Sequence, residues 1–405
     1  MEWTQQQRDA LDAARRWIDA PPGSVDQVFR LFGYAGTGKS TIAHELNDHV
    51  GGRALACAYT GKAASVMARK GLPGATTVHR LIYDPVGSDG KKRLEELKAE
   101  LKLLLQVREP SRGLTMRIAS VERAIREAEA SSREMKFLLK DQSAVSEAPL
   151  VILDEASMVD ERMGTDLLSF GTRVLVLGDP AQLPPVKGSG YFTSQEPDQL
   201  LTEIHRQAAD NPILMLATWA REGRNIPLGD WGRARVVTSI NARQALAADQ
   251  ILCGTNAKRR AINARHRQLE GHADHGPMPR AGEKLVCLKN NHERGLLNGT
   301  QWVAEDDAVW EEGSPDVFLN IRPLEGGAPM GYAAEASIFL DEDQKPQWGD
   351  SDWFTYGSAM TVHKAQGSQW DNLILFDDWT HAASRRQWLY TGLTRAAEDL
   401  TVVVG

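Results

Sequence analysis

The sequence is poor in cysteine and has neither a long apolar run nor an excess of basic charge. Its 405 residues include three cysteines, Cys57, Cys253 and Cys287, whose spacing fits neither a disulfide framework nor a zinc site. We interpret them as reduced thiols that fill the core of a cytosolic protein. No run approaches the ~18 apolar residues that span a membrane, and the N-terminus lacks the pattern of a signal peptide. The sequence therefore predicts a cytoplasmic protein with no membrane partner.

The formal net charge is −7, which by itself argues mildly against a nucleic-acid partner. The charge is unevenly distributed, because residues 91–140 contain 13 Lys and Arg against 8 Asp and Glu. Apolar residues there recur at spacings of three and four on both sides of the turn at residues 109–113, which predicts a helical hairpin. The hairpin is either a solvated basic arm or a projection that contacts DNA or a partner protein.

The remaining chain alternates short apolar runs with helical patterns, which predicts an α/β fold with parallel sheets covered on both faces. Residues 278–350 differ, since Gly, Pro and Asp are frequent and short strands dominate. We predict a first α/β domain at 1–83 and 148–190, a helical-hairpin insertion at 84–147, a second α/β domain at 191–277 and 351–405, and a small β-barrel-like insertion at 278–350.

The string GYAGTGKS at residues 33–40 matches the phosphate-loop pattern and lies between a predicted strand and a predicted helix. Its glycines let backbone N–H groups face phosphate oxygens, and the helix N-terminus adds positive potential. Lys39 is expected to neutralise the β- and γ-phosphates and Ser40 to ligate magnesium. The predicted nucleotide-binding residues of this segment are Gly36, Thr37, Gly38, Lys39, Ser40 and Thr41.

The apolar run LVIL at residues 150–153 leads into two adjacent acids, Asp154 and Glu155. A buried strand that ends in two carboxylates is typical of P-loop nucleotide hydrolases. Asp154 is expected to hold magnesium, and Glu155 to orient and deprotonate the attacking water. The two motifs together predict ATP and Mg²⁺ as cofactors, but they fit kinases and GTPases as well as motors.

A longer string, GDPAQLPPV at residues 178–186, separates these classes. It resembles superfamily 1 helicases of the RecD and Dda group, also called superfamily 1B. Further strings resemble the same family in the expected order: YTGKAA at 59–64, TTVH at 76–79, LTEIHRQ at 201–207, GSAMTVHKAQGSQ at 357–369 and YTGLTRA at 390–396. A metabolic kinase or GTPase is expected to lack them. The resemblance spans Thr4 to Arg395 and leaves out the hairpin and parts of the β insertion.

The resemblance implies two RecA-like domains with ATP bound between them. It implies that Gln7 reads adenine, that Gln182 and Arg206 reach the γ-phosphate, that Arg395 is an arginine finger, and that Gly367 lies at the nucleotide. The residues that it implies for holding single-stranded DNA are Thr60, Lys62, Thr77, His79, Thr361, His363 and Lys364. Such hydroxyls and basic groups can hold phosphates without reading sequence.

We therefore expect a bacterial or phage-encoded, ATP-dependent DNA helicase that moves 5′ to 3′, with single strands and single-strand/duplex junctions as partners and a role in replication, repair or recombination. A translocase without robust unwinding, or a motor that acts on RNA, remains the alternative. Relatives carry a β-hairpin wedge where this chain has the helical hairpin, so the strand-separating residue is not assigned. Tyr83, Phe137 and Trp370 are aromatic candidates for base stacking, but for each alone core packing is the favoured explanation.

Overall fold

The computed structural model describes residues 3–85, 121, 137–140, 142–184, 190–204, 210–291, 294–341 and 351–405. The chain divides into two compact units. One comprises Met1–Val78 and Ala144–Gly405, and the other comprises His79–Ser143.

The described strands are numbered along the chain. They are β1 Val28–Gly33, β2 Leu55–Ala58, β3 Thr76–Thr77, β4 Tyr83–Pro85, β5 Phe137–Leu139, β6 Val151–Asp154, β7 Val174–Gly178, β8 Gln199–Leu201, β9 Gly229–Asp230, β10 Ala234–Val237, β11 Gln250–Cys253, β12 Lys284–Cys287, β13 Gln301–Ala304, β14 Asp316–Pro323, β15 Met330–Glu335, β16 Phe354–Tyr356, β17 Ala359–Thr361, β18 Trp370–Asp377 and β19 Ala396–Val404.

The described α-helices follow the same scheme. They are α1 Gln5–Asp19, α2 Lys39–His49, α3 Gly61–Arg69, α4 Val78–Ile82, α5 Glu161–Leu168, α6 Pro212–Glu222, α7 Ala242–Ala247, α8 Asn256–Leu269, α9 Ser337–Leu340 and α10 Arg385–Leu393.

The first sheet has the strand order β3-β2-β6-β7-β1-β8, and all of its pairs are parallel. Strands β6 and β7 are buried almost throughout, as expected for parallel strands covered on both faces. The nucleotide-binding strings lie in the loops after β1, β6 and β7. Because the carboxyl ends of parallel strands meet at one edge of a sheet, this topology gathers residues that are far apart in sequence.

The second sheet has the order β17-β11-β18-β19-β10-β9 and is parallel except for the β9–β10 pair. Its core packs α6 and α10 against β18 and β19. The buried side chains of that core include Leu216, Trp388 and Leu393. Helix α10 therefore lies firmly on the second sheet, and it holds the segment that precedes Arg395.

The third sheet is antiparallel, with the order β15-β14-β13-β12-β16 and its own apolar core around Trp302, Leu319 and Phe354. This sheet occupies the region where the sequence predicts a small β insertion.

In the second unit, β4 pairs with β5 in an antiparallel arrangement, with Tyr83 opposite Leu139. The Ser143 hydroxyl donates a hydrogen bond to the Leu81 carbonyl at 2.9 Å. The helical hairpin predicted for 84–147 lies almost entirely outside the described residues, as does the side chain of Phe137.

The α/β fold with RecA-like parallel sheets is confirmed by the strand orders. Two strands fall beyond the predicted domain limits, since β8 joins the first sheet after residue 190 and β16 joins the third sheet after residue 350. Both strands are three residues long, too short to give a periodic signal. The division into four segments otherwise stays a prediction. Among the described residues, no helix combines the length and apolar character needed to cross a membrane.

The three cysteines are buried and unpaired, which agrees with core thiols. Burial raises the pKa of Cys57 and of Cys253 to about 12, and that of Cys287 to about 11.

Candidate active site

A cavity of about 430 Å³ lies at the carboxyl edge of the first sheet, and the second sheet contributes part of its wall. Predicted nucleotide-site residues from both ends of the chain line it. They are Gln7, Gly36, Gly38, Lys39, Ser40, Thr41, Asp154, Glu155, Gln182, Gly367 and Arg395. Thr37 is fully buried behind this wall, and Arg206 lies outside the described residues. Residues of the predicted nucleotide-binding strings therefore lie around a single cavity.

The phosphate loop has the backbone shape that phosphate binding requires. Gly36 and Gly38 have φ of 77° and 89°, in the left-handed region that favours glycine. A Cβ at Gly38 would lie 2.5 Å from Gln7 Nε2, so a larger residue there would also have to displace the Gln7 amide. Helix α2 begins at Lys39, and the Lys39 ammonium donates to the Gly33 and Tyr34 carbonyls at 2.5 and 3.0 Å. The helix N-terminus and this lysine both present positive charge to the cavity.

Gln7 connects the first helix to the phosphate loop. Thr4 and Gln7 form a capping box at the start of α1, in which Gln7 Oε1 accepts from the Thr4 N–H at 3.0 Å. Gln7 Nε2 donates to the Thr37 carbonyl at 2.9 Å, and the side chain is 2% exposed. The oxygen and the nitrogen of this amide therefore both form hydrogen bonds within the protein. Through them Gln7 supports the phosphate loop.

The acidic pair follows β6 in an unusual backbone conformation. Glu155 has φ of 51° and is the only non-glycine residue with positive φ among those described. Such a conformation costs about 1–2 kcal/mol in an L-residue. It turns Glu155 into the cavity beside Asp154, whose Oδ1 accepts the Glu155 N–H at 2.8 Å. Burial raises the pKa of Glu155, while the nearby Arg395 guanidinium opposes the rise.

Arg395 enters the cavity from the second sheet. Its guanidinium lies 3.7 Å from Glu155 Oε1, and the residue is 4% exposed. It donates to the Thr391 carbonyl at 3.1 Å, to the Ser368 carbonyl at 3.4 Å and to Thr394 Oγ1 at 3.3 Å. These bonds hold the arginine in position against the acidic pair of the first sheet.

The cavity fits a nucleotide triphosphate with magnesium. Gln182 Oε1 is buried without a hydrogen-bond partner among the described residues, and as an acceptor it can take a hydrogen bond from the attacking water. Within the same residues, no group of three or more His, Cys, Asp or Glu side chains forms a cage for a metal ion. Magnesium commonly relies on one or two protein ligands plus phosphate oxygens, and Ser40 and Asp154, the pair predicted from the sequence for this role, both line the cavity.

The predicted strand-contact residues near α3 have protein partners. The Thr60 hydroxyl accepts the Ala63 N–H at 3.2 Å and so caps α3. Lys62 forms an ion pair with Glu325, from the turn between β14 and β15 of the third sheet. Arg69 Nη2 lies 3.8 Å from the same carboxylate. One acidic side chain therefore faces two basic residues of α3.

The later candidates lie at the end of β17 and in the segment that follows it. Thr361 Oγ1 accepts the Lys364 N–H at 3.4 Å, and the His363 ring lies 5.2 Å from the Trp379 ring. Burial lowers the pKa of His363, and it lowers that of Lys364 to about 8. Thr77 belongs to the larger compact unit and His79 to the smaller one.

Sequence reasoning gave no role to several polar residues that line the cavity, Lys70 among them, and none to Tyr390, which contacts lining residues. Lys70 donates to Gln369 Oε1 at 3.4 Å. Tyr390 contacts the phosphate loop, although only its neighbours in the YTGLTRA string received roles. For Trp370 the structure supports core packing, the explanation favoured from the sequence, because the residue is 7% exposed and its Nε1 donates to Gln301 Oε1 at 2.9 Å. Tyr83 is likewise 7% exposed.

The fold and the cavity together define a P-loop protein with two RecA-like sheets. Residues 5–242 match the AAA domain family, and residues 356–403 match the UvrD-like helicase C-terminal domain. The first match covers more than half of the chain, so the protein belongs to the AAA domain family. The second match and the sequence similarity to a RecD2 helicase support the resemblance to superfamily 1B proteins of the RecD type.

Two curated proteins are similar in sequence. The ATP-dependent RecD2 DNA helicase of Deinococcus radiodurans is 26% identical over 91% of this chain and 46% of its own length. The conjugal transfer protein TraA of Agrobacterium fabrum is 24% identical over 70% of this chain and 27% of its own length. The chain therefore spans less than half the length of either relative.

Two solved structures share the fold. One shows forked DNA unwinding by two coordinating Pif1 helicases, and it matches with a TM-score of 0.55 and 17% identity. The other is a Bacteroides Pif1 bound to single-stranded DNA, with a TM-score of 0.53 and 17% identity. Each match covers 99% of this chain and 92% of the other.

Proposed function

We propose that this protein is an ATP-dependent DNA helicase that moves 5′ to 3′ along a single strand. The observation that carries the proposal is Arg395, which comes from the second sheet and lies 3.7 Å from Glu155 of the first. A nucleotide in this cavity is thus contacted from two RecA-like sheets. The AAA domain family, the similarity to RecD2 and the Pif1-like fold support the activity, substrate and polarity.

The proposed chemistry is phosphoryl transfer from ATP to water. Lys39 and the phosphate-loop N–H groups hold the β- and γ-phosphates, and Ser40 and Asp154 hold magnesium, which neutralises phosphate charge when bound. Glu155 accepts the proton of the attacking water, a role favoured by its raised pKa. Gln182, Arg206 and Arg395 stabilise charge on the γ-phosphate, while Gln7 and Gly367 line the nucleotide site.

The proposed motor action follows from this arrangement. ATP draws the two sheets together because positively charged groups from both sheets converge on its negatively charged γ-phosphate. Hydrolysis removes that attraction. The strand is held by Thr60, Lys62, Thr77 and His79 on one side and by Thr361, His363 and Lys364 on the other. The two sets of contacts then bind and release the strand in turn, which converts closure of the cleft between the sheets into steps along the strand. The basic segment 91–140 is proposed to contact DNA or a protein partner.

The test combines an ATPase assay with strand displacement. Wild type and Lys39→Ala are assayed with single-stranded DNA, single-stranded RNA and neither, and then on duplexes with a 5′ or a 3′ overhang. We expect ATPase stimulated most by DNA, displacement from the 5′ overhang, and both lost in Lys39→Ala. Displacement from the 3′ overhang contradicts the polarity. Stimulation without displacement identifies a translocase, and preference for RNA identifies an RNA motor.

A further inference from the structure

Tyr390 places a buried phenol against residues that line the nucleotide cavity. The proposed chemistry gives it no role. It lies on α10, five residues before Arg395, and is 2% exposed. Its ring packs in the core of the second sheet. Its hydroxyl nevertheless contacts residues that follow strands of the first sheet.

Two short hydrogen bonds define these contacts. The Ala35 N–H of the phosphate loop donates to the Tyr390 oxygen at 2.7 Å, and the Tyr390 hydroxyl donates to Asp179 Oδ2 at 2.7 Å. Burial and the Asp179 carboxylate raise the pKa of Tyr390, so the phenol keeps its proton and remains a donor. One hydroxyl thereby joins the loops after β1 and after β7.

The C-terminal end of the loop after β7 also forms hydrogen bonds with residues associated with the second sheet. The Leu183 N–H donates to Thr391 Oγ1 at 2.9 Å, and Gln366 Nε2 donates to the Leu183 carbonyl at 2.8 Å. Gln182 lies between these attachments, and its N–H donates to the Asp179 carbonyl at 3.2 Å. Gln366 follows the proposed strand-contact segment 361–364 by two residues.

We propose that Tyr390 is a positioning residue that makes the phosphate loop, the Gln182 loop and helix α10, which precedes Arg395, move together, so that strand binding alters ATP hydrolysis. The inference rests on the proposed function, because it names the contact through which the strand stimulates the ATPase. Tyr390 acts through Asp179 and Ala35 and touches no reacting atom. The hydroxyl is required for this, whereas the ring serves core packing.

The test is Tyr390→Phe, which removes the hydroxyl and keeps the ring. Steady-state ATPase is measured with and without a single-stranded DNA oligonucleotide, across ATP concentrations. We expect the stimulation ratio to fall about tenfold, because a hydrogen bond to a charged group is lost. The fall should lie in kcat with DNA rather than in KM for ATP, a split that loss of packing alone does not produce.

Tyr332→Phe is the matched control, since Tyr332 is also 2% exposed and its hydroxyl donates to the Arg294 carbonyl at 3.0 Å within the third-sheet region. It should leave the stimulation ratio unchanged. An unchanged ratio in Tyr390→Phe, or equal losses with and without DNA, overturns the inference while the proposed function stands. Absence of stimulation in wild type, measured first, overturns both.

Discussion

The nucleotide cavity and the proposed strand-contact surface are built in opposite ways. In the cavity, residues from Gln7 to Arg395 already face one another, and Arg395 lies beside Glu155. On the strand-contact surface, Lys62 is paired with Glu325, and burial depresses the pKa of Lys364.

The difference follows from which groups do the binding. A phosphate loop binds through backbone N–H groups, whose positions are fixed by glycine conformations and by the start of a helix. Strand phosphates are held by side-chain hydroxyls and cations, which find partners inside the protein until a strand displaces them. Nucleotide binding should therefore depend on backbone shape, and strand binding on competition with internal partners.

The largest expected effect is in the cavity, from Arg395→Ala. This variant removes the cation that the second sheet places at the acidic pair, and we expect kcat of the stimulated ATPase to fall about 10³-fold. ATP affinity should change much less. The measurement is steady-state ATPase with saturating single-stranded DNA.

Arg386→Ala is the control for that experiment. Arg386 lies on α10, the helix that precedes Arg395, but it is exposed, and its guanidinium lies against Gly223 rather than the cavity. Its kcat should match wild type. A similar loss in both variants would mean that the helix, and not the Arg395 charge, carries the effect.

The second prediction concerns Lys364 and the pH dependence of strand affinity. Burial lowers the pKa of Lys364 to about 8, so the free protein loses this charge as the pH rises. A bound phosphate favours the charged form, so binding above that pKa must take up a proton. We expect affinity for single-stranded DNA to be steady below pH 7 and to weaken about tenfold by pH 9. Fluorescence anisotropy at fixed ionic strength measures it.

Lys364→Arg sharpens this result, because arginine stays protonated throughout the range. Its affinity should lose the pH dependence. A flat profile in wild type, or an unchanged slope in Lys364→Arg, rules out Lys364 as the titrating strand contact.

The smallest expected effect comes from Glu325→Ala, which frees Lys62 and Arg69 of α3. A partly exposed ion pair contributes about 0.2–1 kcal/mol, so strand affinity should rise by about 1.4- to fivefold at low salt. Glu305→Ala is the matched control, since Glu305 pairs with Arg322 and does not reach α3. Equal affinity in wild type and Glu325→Ala would show that the pair does not compete with the strand.

Local patterns predicted much of the first sheet. The runs before Gly33, Asp154 and Gly178 became β1, β6 and β7, because continuous apolar runs bounded by glycine or acids suit buried parallel strands. The convergence of their loops followed from parallel topology. The edge strand β8 was missed, because its three residues have no periodicity and are held by pairing with β1.

The contacts that the sequence could not predict join distant segments. Tyr390 meets Ala35 across 355 positions, and Lys62 meets Glu325 across 263. Nothing local marks such a pair, because each partner alone has the pattern of an ordinary helix or turn residue. For Trp370 the sequence favoured core packing over base stacking, and the structure places this residue in the core of the second sheet.

The central claim is that the nucleotide bound between the two sheets determines how tightly the protein binds a single strand. The most direct measurement is the affinity of a fluorescent single-stranded DNA oligonucleotide for wild type, with a non-hydrolysable ATP analogue and with ADP. Coupled sites require the two affinities to differ, and we expect at least about a fivefold difference. Equal affinities with both nucleotides would contradict the account.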